Sequence, residues 1–401
     1  MNPPHTLSCH DFARAADHLY RGQLAAADGW CRRGLTATPD SPAGLNLLGC
    51  IAALAGLHDA AARSFERALP LAAARDSLGL LSGLEPPPLR TEPGFILIKS
   101  WGYGFCSELA HVLGGLLLAE LTGRIPVVQW GRRCLFSENI EGFRHFFEPV
   151  SAIAFEELAL LTDASLFPAS WSLESLSRDR PVMRLGQGPT ALECLARPET
   201  ILVCDNFLGV ADLAPWSPPG HRLHGLSLPA CYAALADTYL RPRPEIAATA
   251  AAFRAQHFAA GPITAVHLRG SDKVLELPEI AETHHQLLAL LDTLPAERPV
   301  FLMTDDDTLA HQLRARYGPR LILTDSQRTR TSTGIHYHQN ADGPALGREM
   351  MVDLLLALEA EHFIGNGRSN VSALLEALRS GAGRHSTLVL ENQLYQHSCF
   401  L

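Results

Sequence analysis

From residue 94 onward, short apolar runs alternate with longer stretches in which apolar residues recur at helical spacing. Phe95-Ile96-Leu97-Ile98 reads as a buried strand. A glycine turn follows (Trp101-Gly102-Tyr103-Gly104-Phe105), then a helix from Ser107 to Leu121 that stops near Gly123. Ile125 to Trp130 and Thr200 to Cys204 are further strands, whereas 131–198 carries many loops. Pro244 to His257 reads as a helix leading into a second unit. There strands are expected at Ile263–Leu268, Val300–Thr304, Leu321–Thr324 and His362–Gly365, with helices at His284–Leu294, Thr308–Tyr317, Gly347–Ala360 and Ser369–Leu378. Thr387 to Leu390 looks like a closing strand. This alternation predicts an α/β fold of two doubly wound parallel sheets. In such sheets ligands sit at the carboxyl ends of the strands, so the residues just after each strand carry most weight.

The chain before this body follows another rule. Ala15 and Gly49, Gly22 and Gly56, Ala27 and Ala61, Cys31 and Phe65, Gly34 and Ala68, and Leu35 and Leu69 share one spacing, a period of about 34 residues. That period, with small residues where two helices touch, resembles the tetratricopeptide (TPR) repeat. Two such repeats are marginal alone and are expected to stack on a neighbour. The expected organisation is therefore 1–82 TPR-like helices, 83–93 a Pro-rich linker, 94–258 a first Rossmann-like domain, and 259–401 a second.

Composition narrows the classes of function. The 401 residues are 47% apolar, enough for sizeable cores, and the net charge of −9 argues against a general nucleic-acid or anionic-membrane binder. Uncharged apolar stretches such as Val112 to Ala119 are well short of the ~20 residues of a membrane helix, so no transmembrane segment is expected. The nine cysteines are scattered with no Cys-x-x-Cys pair, which fits buried thiols and a cytoplasmic location better than disulfides or a zinc site.

Five places could carry chemistry. His267-Leu268-Arg269-Gly270-Ser271-Asp272-Lys273 ends a strand with two cations and a glycine, which suits a diphosphate. Thr304-Asp305-Asp306-Asp307 also follows a strand; its carboxylates suit a divalent metal, the orientation of a neighbouring cation, or a helix cap. Asp305, nearest the strand, is the site candidate. Asp353 is the one charge between Glu349 and Glu359 in an apolar helix and needs a strong donor partner, either a guanine edge or an arginine such as Arg348. Gly365-Asn366-Gly367-Arg368-Ser369-Asn370 opens a helix whose N–H groups suit an anion, with Ser369 also placed as a cap. The Gly102/Gly104 turn has only part of a phosphate-binding glycine pattern.

Together these residues resemble the α-1,6-fucosyltransferases and rhizobial nodulation fucosyltransferases. His267-Leu268-Arg269-x-x-Asp272-Lys273 is similar to their His-x-Arg-Arg-x-Asp-Lys motif, Thr304-Asp305-Asp306 to their Thr-Asp-Asp, and Gly334-Ile335-His336 to their Gly-Leu-His. Asp353 and Ser369-Asn370-Val371 fall where the family has a helix Asp and a Ser-Ser-Gln-Val loop. Gly102-Tyr103-Gly104-Phe105 resembles their Gly-Phe-Gly turn. The resemblance spans about 95–380, most strongly 262–375. It implies a two-Rossmann (GT-B) enzyme that transfers a sugar from a GDP-sugar with inversion and without a metal or other cofactor. It further implies that Arg269 holds the β-phosphate and that His267 and Asp353 recognise the nucleoside. Ser369 and Asn370 touch the phosphates, and Lys273, positioned by Asp305, lies near the reaction centre. Gly104 and His336 would lie on the donor side. Glu276 or Asp272 would be the base.

Gly270 departs from the family's second arginine. Phosphate contacts are then fewer, or another cation such as Arg368 substitutes. The donor sugar and the acceptor (glycan, lipid-linked saccharide or protein) stay open, and the TPR-like segment is expected to bind a partner or a protein acceptor. Two other readings remain: a non-catalytic TPR interaction protein with a decayed transferase fold, and a transferase with a metal at Asp305-Asp306-Asp307.

Overall fold

In a computed structural model, the described residues are 11–68 and 94–396, apart from 13, 20, 139–140, 180–188, 190, 196, 259–260, 271–278, 332 and 339–340. The expected linker at 83–93 lies outside them. So do Asp272, Lys273 and Glu276.

Residues 11–12 and 14–19 are helical, followed by α1 (Leu24–Ala37), α2 (Pro42–Leu54) and α3 (His58–Ala68). Sequence chemistry sets the turns between them. Gly22 and Gly56, equivalent positions of the sequence period, both take positive φ (72° and 79°) where one helix gives way to the next. Small residues let the helices close up. A methyl group on Gly34 would meet the Phe12 ring at 2.5 Å, and one on Gly49 the Phe65 ring at 2.4 Å. The helical segment rests on the α/β body through Trp216. That residue joins the segment's apolar core, and its ring stacks under the Arg32 guanidinium at 4.4 Å.

The body contains two parallel sheets. The first has the order β2-β1-β4-β3, with β1 Phe95–Lys99, β2 Ile125–Gln129, β3 Leu166–Phe167 and β4 Ile201–Cys204. Alternate residues of β1 face opposite cores: Ile96 and Ile98 one, Leu97 the other, which is why the strand reads as a continuous apolar run. Between β1 and β2 runs α4 (Phe105–Thr122), ended by Gly123 in the left-handed conformation at φ 60°. This helix is long and apolar enough to cross a membrane, but 83% of it is buried inside the protein as the core helix of the first sheet. Its Gly114 lies so close to the Leu208 carbonyl that a methyl group would sit 1.9 Å from the oxygen.

After β4 the chain forms α5 (Leu228–Tyr239) and α6 (Pro244–His257). The second sheet has the order β7-β6-β5-β8-β9: β5 Thr264–His267, β6 Val300–Met303, β7 Leu321–Ile322, β8 His362–Gly365 and β9 Ser386–Leu388. Its connecting helices are α7 (Glu279–Asp292), α8 (Asp307–Tyr317), α9 (Gly343–Glu359) and α10 (Asn370–Gly381). The two sheets share one apolar core, because α5 packs on α10 and α6 on α9. Gly347 of α9 lets the Phe146 and Phe105 rings of the first unit approach; a methyl group there would lie 2.4 Å from Phe146.

Candidate functional site

In the second sheet the strand order turns back between β5 and β8, and a crevice opens at their carboxyl ends. A cavity of about 160 Å³ occupies it. Its walls bring together His267, Arg269, Asp305, His336, Asp353, Ser369 and Asn370 from the second unit with Gly104 from the first. These positions are scattered along the chain from Gly104 to Asn370 and come from both sides of the cleft.

Arg269 follows β5 and Asp305 follows β6, two neighbouring strands, so their side chains meet. Arg269 Nη1 lies 2.7 Å from Asp305 Oδ2, and the Gly270 N–H donates to Asp305 Oδ1 at 2.9 Å. Asp305 therefore orients Arg269 in the described structure, whereas Lys273, the cation expected to depend on it, is outside the described residues. His284 of α7 donates from Nε2 to the Arg269 carbonyl at 2.8 Å and fixes the backbone here as well. The other two carboxylates of the triplet point elsewhere. Asp306 caps α8 by accepting from Leu309 N at 3.0 Å, and Asp307 accepts from Arg330 Nε at 2.6 Å. Three carboxylates with three different partners do not converge on one metal. Among the described residues no group of three or more His, Cys, Asp or Glu converges either.

Gly270 has a structural reason. A methyl group on it would lie 2.5 Å from Asp306 Cβ, so the space of a second arginine is taken by the cap of α8. Arg368 does not replace it. Its Nη1 donates to Gln396 Oε1 at 3.2 Å, and its side chain is not part of the cavity wall.

Asp353 is buried, as the apolar sequence of α9 requires, and burial pushes its carboxyl up to about 6. Its partners are hydroxyls rather than Arg348, which is exposed. Thr324 Oγ1 donates to Oδ1 at 2.7 Å and Ser326 Oγ to Oδ2 at 3.2 Å. Arg328 braces that loop through the Thr324 and Ser326 carbonyls, and its charge draws the carboxyl back down. His267 is also buried, with Nδ1 2.8 Å from Ser372 Oγ; burial and the neighbouring Arg269 charge hold its pKa well down.

Ser369 precedes α10 but its side chain makes no capping bond. Ser369, Asn370 and Val371 at the start of α10 line the cavity together with Arg269, an arrangement that favours an anion. His336 packs against Phe136 of the first unit (ring centroids 5.9 Å apart), so this part of the wall is made by both units.

The glycine turn of the first unit is not a phosphate nest. Its N–H groups are spent on Glu108, a carboxylate buried in the first turn of α4. Trp101 N, Gly102 N and Tyr103 N donate to it at 3.1, 2.6 and 3.0 Å, and Ser100 Oγ at 2.8 Å. Gly104 still borders the cavity, since a side chain there would meet nothing.

Sequence reasoning missed Glu108, His284 and Glu349. Glu349, one helical turn before Asp353, lines the cavity and accepts from Gln327 N at 2.9 Å and Gln327 Nε2 at 3.2 Å. The i, i+4 spacing of Glu349 and Asp353 was a usable signal. Nothing in the sequence marked the pairing of His284 with the Arg269 carbonyl.

No protein-family model matches the sequence, and no curated protein does. Solved structures of fucosyltransferases resemble the chain. NodZ from Bradyrhizobium is 20% identical over 71% of this chain and 93% of that one, with a TM-score of 0.48. POFUT1 in complex with GDP is 15% identical over 74% and 99%, TM-score 0.45. A mutant of Arabidopsis thaliana FUT1 in complex with GDP is 12% identical over 73% and 70%, TM-score 0.45. At such values the likeness assigns no residue a role.

Proposed function

We propose that this chain is an inverting glycosyltransferase that moves fucose from GDP-fucose to an acceptor hydroxyl, with Arg269 and the α10 N-terminus holding the diphosphate. One observation carries the reading: an arginine held by Asp305, a helix N-terminus and the buried Asp353 line one cavity in the crevice of the second sheet. The leaving nucleoside diphosphate gains negative charge as the glycosidic bond breaks. A fixed guanidinium and oriented N–H dipoles stabilise that charge without reorganising. Asp353 supplies acceptor oxygens for the two donors of a guanine edge, while Thr324 and Ser326 hold the carboxylate in place.

Asp272 or Glu276 takes the proton of the acceptor hydroxyl, and Lys273 assists near the reaction centre. The N-terminal helix pairs, whose second members start at Leu24 and His58, act as TPR-like repeats that bind a partner or a protein acceptor.

The test is calorimetric titration of the full chain with GDP in EDTA, beside UDP, ADP and CDP, followed by transfer assays with GDP-sugars. Selective GDP binding that is lost in Arg269→Ala supports the reading. Selective UDP binding, or GDP binding only with Mg²⁺ or Mn²⁺, refutes it. Absence of any nucleotide binding favours the non-catalytic interaction protein.

A further inference from the structure

A second and larger cavity, of about 470 Å³, lies on the far side of the two helices that wall the first. α9 and α10 separate the two. Asp353 and Met350 face the nucleotide-side cavity, whereas Met351, Leu354, Leu355 and Leu358 face this one; Asn370 and Val371 face the first, Leu374, Leu375 and Leu378 the second. The opposite wall is α5 and the turn after it, through Ala233, Ala236 and Leu240. The floor is fully apolar and buried, with Leu109 and Phe147 at the bottom. Leu240, Leu355, Leu358 and Leu378 at the mouth are half-buried, so the cavity opens to solvent. Its volume is within the ~300–1,000 Å³ of small-molecule sites.

The polar groups around this apolar lining are not balanced. Arg379 is fully buried in the wall, and its guanidinium is held by neutral oxygens: the carbonyls of Ala357, Leu358, Ala360, Glu361 and His385, and Ser386 Oγ. Arg384 lies close enough to it for the two positive charges to repel, and Arg241 stands exposed at the rim. Of the two carboxylates in the lining, Glu359 is already paired with Arg254, and Asp237 sits on the exposed edge. The mouth therefore has an excess of guanidinium charge, and guanidinium is weakly hydrated and well shaped for a carboxylate or phosphate.

We infer that this cavity binds an amphipathic anion: a hydrocarbon chain in the Leu-lined floor, with a carboxylate or phosphate head against Arg241 and Arg384. The inference does not depend on the proposed sugar transfer. It does have a consequence for it, since such a ligand touches the helix that carries Asp353.

The experiment is calorimetric titration of the full chain, below micellar concentration, with octanoate, decanoate, decyl phosphate and decanol. Decanoate or decyl phosphate binds at one site, and the tighter of the two identifies the head group. Decanoate binds roughly fifteenfold tighter than octanoate, since each of the two further buried methylenes contributes about fourfold. Decanol binds at least fivefold more weakly than decanoate. Ala236→Trp, which fills the mouth from α5, abolishes binding while GDP titration and the circular dichroism spectrum stay unchanged. Should that variant not fold, Leu355→Trp on the opposite wall carries the same expectation. Arg241→Gln weakens both anions several-fold. Absence of heat with both anions, equal affinity for decanol, no gain from octanoate to decanoate, or undiminished binding to the filled variant overturns the inference.

Discussion

Replacing Asp353 with Asn separates what this residue does for folding from what it does for binding. The carboxyl is buried in α9 and lifted from its ordinary 3.8 to about 6. At 1.36 kcal/mol per tenfold, that shift amounts to ~3 kcal/mol of preference for the protonated form in the folded chain. The folded state thus binds a proton that the unfolded state has already released. Stability from this site is full below pH ~4 and is lost as pH rises through about 6. At pH 8 the ionised, buried carboxylate costs folding ~3 kcal/mol, with the help of the Thr324 and Ser326 hydroxyls already included. An amide has nearly the same shape. Its oxygen accepts from one hydroxyl, and its N–H₂ donates to the other after that hydroxyl rotates. Asp353→Asn is therefore expected to stabilise the protein by about 1–3 kcal/mol at pH 8 and by close to nothing at pH 4. Urea unfolding followed at pH 4, 6 and 8 measures the difference. GDP affinity moves the other way, because a neutral amide cannot accept from both guanine donors with one charge; binding falls at least tenfold at pH 8. A variant less stable than the parent at pH 8, or a stability difference that does not change with pH, refutes the reasoning.

Other expectations follow from the same geometry. Arg269→Ala removes the cation proposed to hold the diphosphate and lowers GDP affinity a hundredfold or more by titration, while Asp305→Asn, which loosens Arg269 and the Gly270 backbone, costs about tenfold. Because burial and Arg269 keep His267 neutral, His267 adds no step to GDP affinity between pH 6.5 and 8, and affinity weakens near pH 6 as Asp353 and the terminal phosphate of GDP take up protons. Gly270→Arg drives its Cβ into Asp306 and disturbs the α8 cap, for a loss of about 1–3 kcal/mol in thermal unfolding and no gain in GDP affinity. Glu108→Gln leaves the 101–103 amides short of acceptors and destabilises by about 2–4 kcal/mol, with GDP affinity in the surviving folded protein within threefold of the parent.

Much of the body was legible in the sequence because its elements are locally consistent. The apolar runs at 95–98, 201–204, 300–303 and 362–365 are strands because each buries both faces, and a helix at Pro244–His257 has a proline start and a basic last turn. Order along the chain also marked residues of the candidate site. Arg269, Asp305 and Ser369 each follow a strand or open a helix, and parallel topology sends all such positions to one edge. The periodic small residues of the N-terminal segment were equally visible, since Gly34 and Gly49 stand where helices touch.

Pairings between distant residues were not legible. Sequence placed Asp353 in a buried helix but not against Thr324 and Ser326, because hydroxyls in a loop 27 to 29 positions earlier carry no local signature. It marked the glycine turn as a possible phosphate site, yet only the folded chain shows Glu108 already occupying those amides. It singled out Asp305 from the triplet and foresaw a helix cap, but only the backbone turn after β6 shows that Asp305 meets an arginine, Asp306 the helix end and Asp307 a second arginine. Local composition determines which segments are buried and how they begin and end. The partners of each buried charge depend on the packing of sheets and helices far apart in the chain, and that is where the chemistry of this protein was decided.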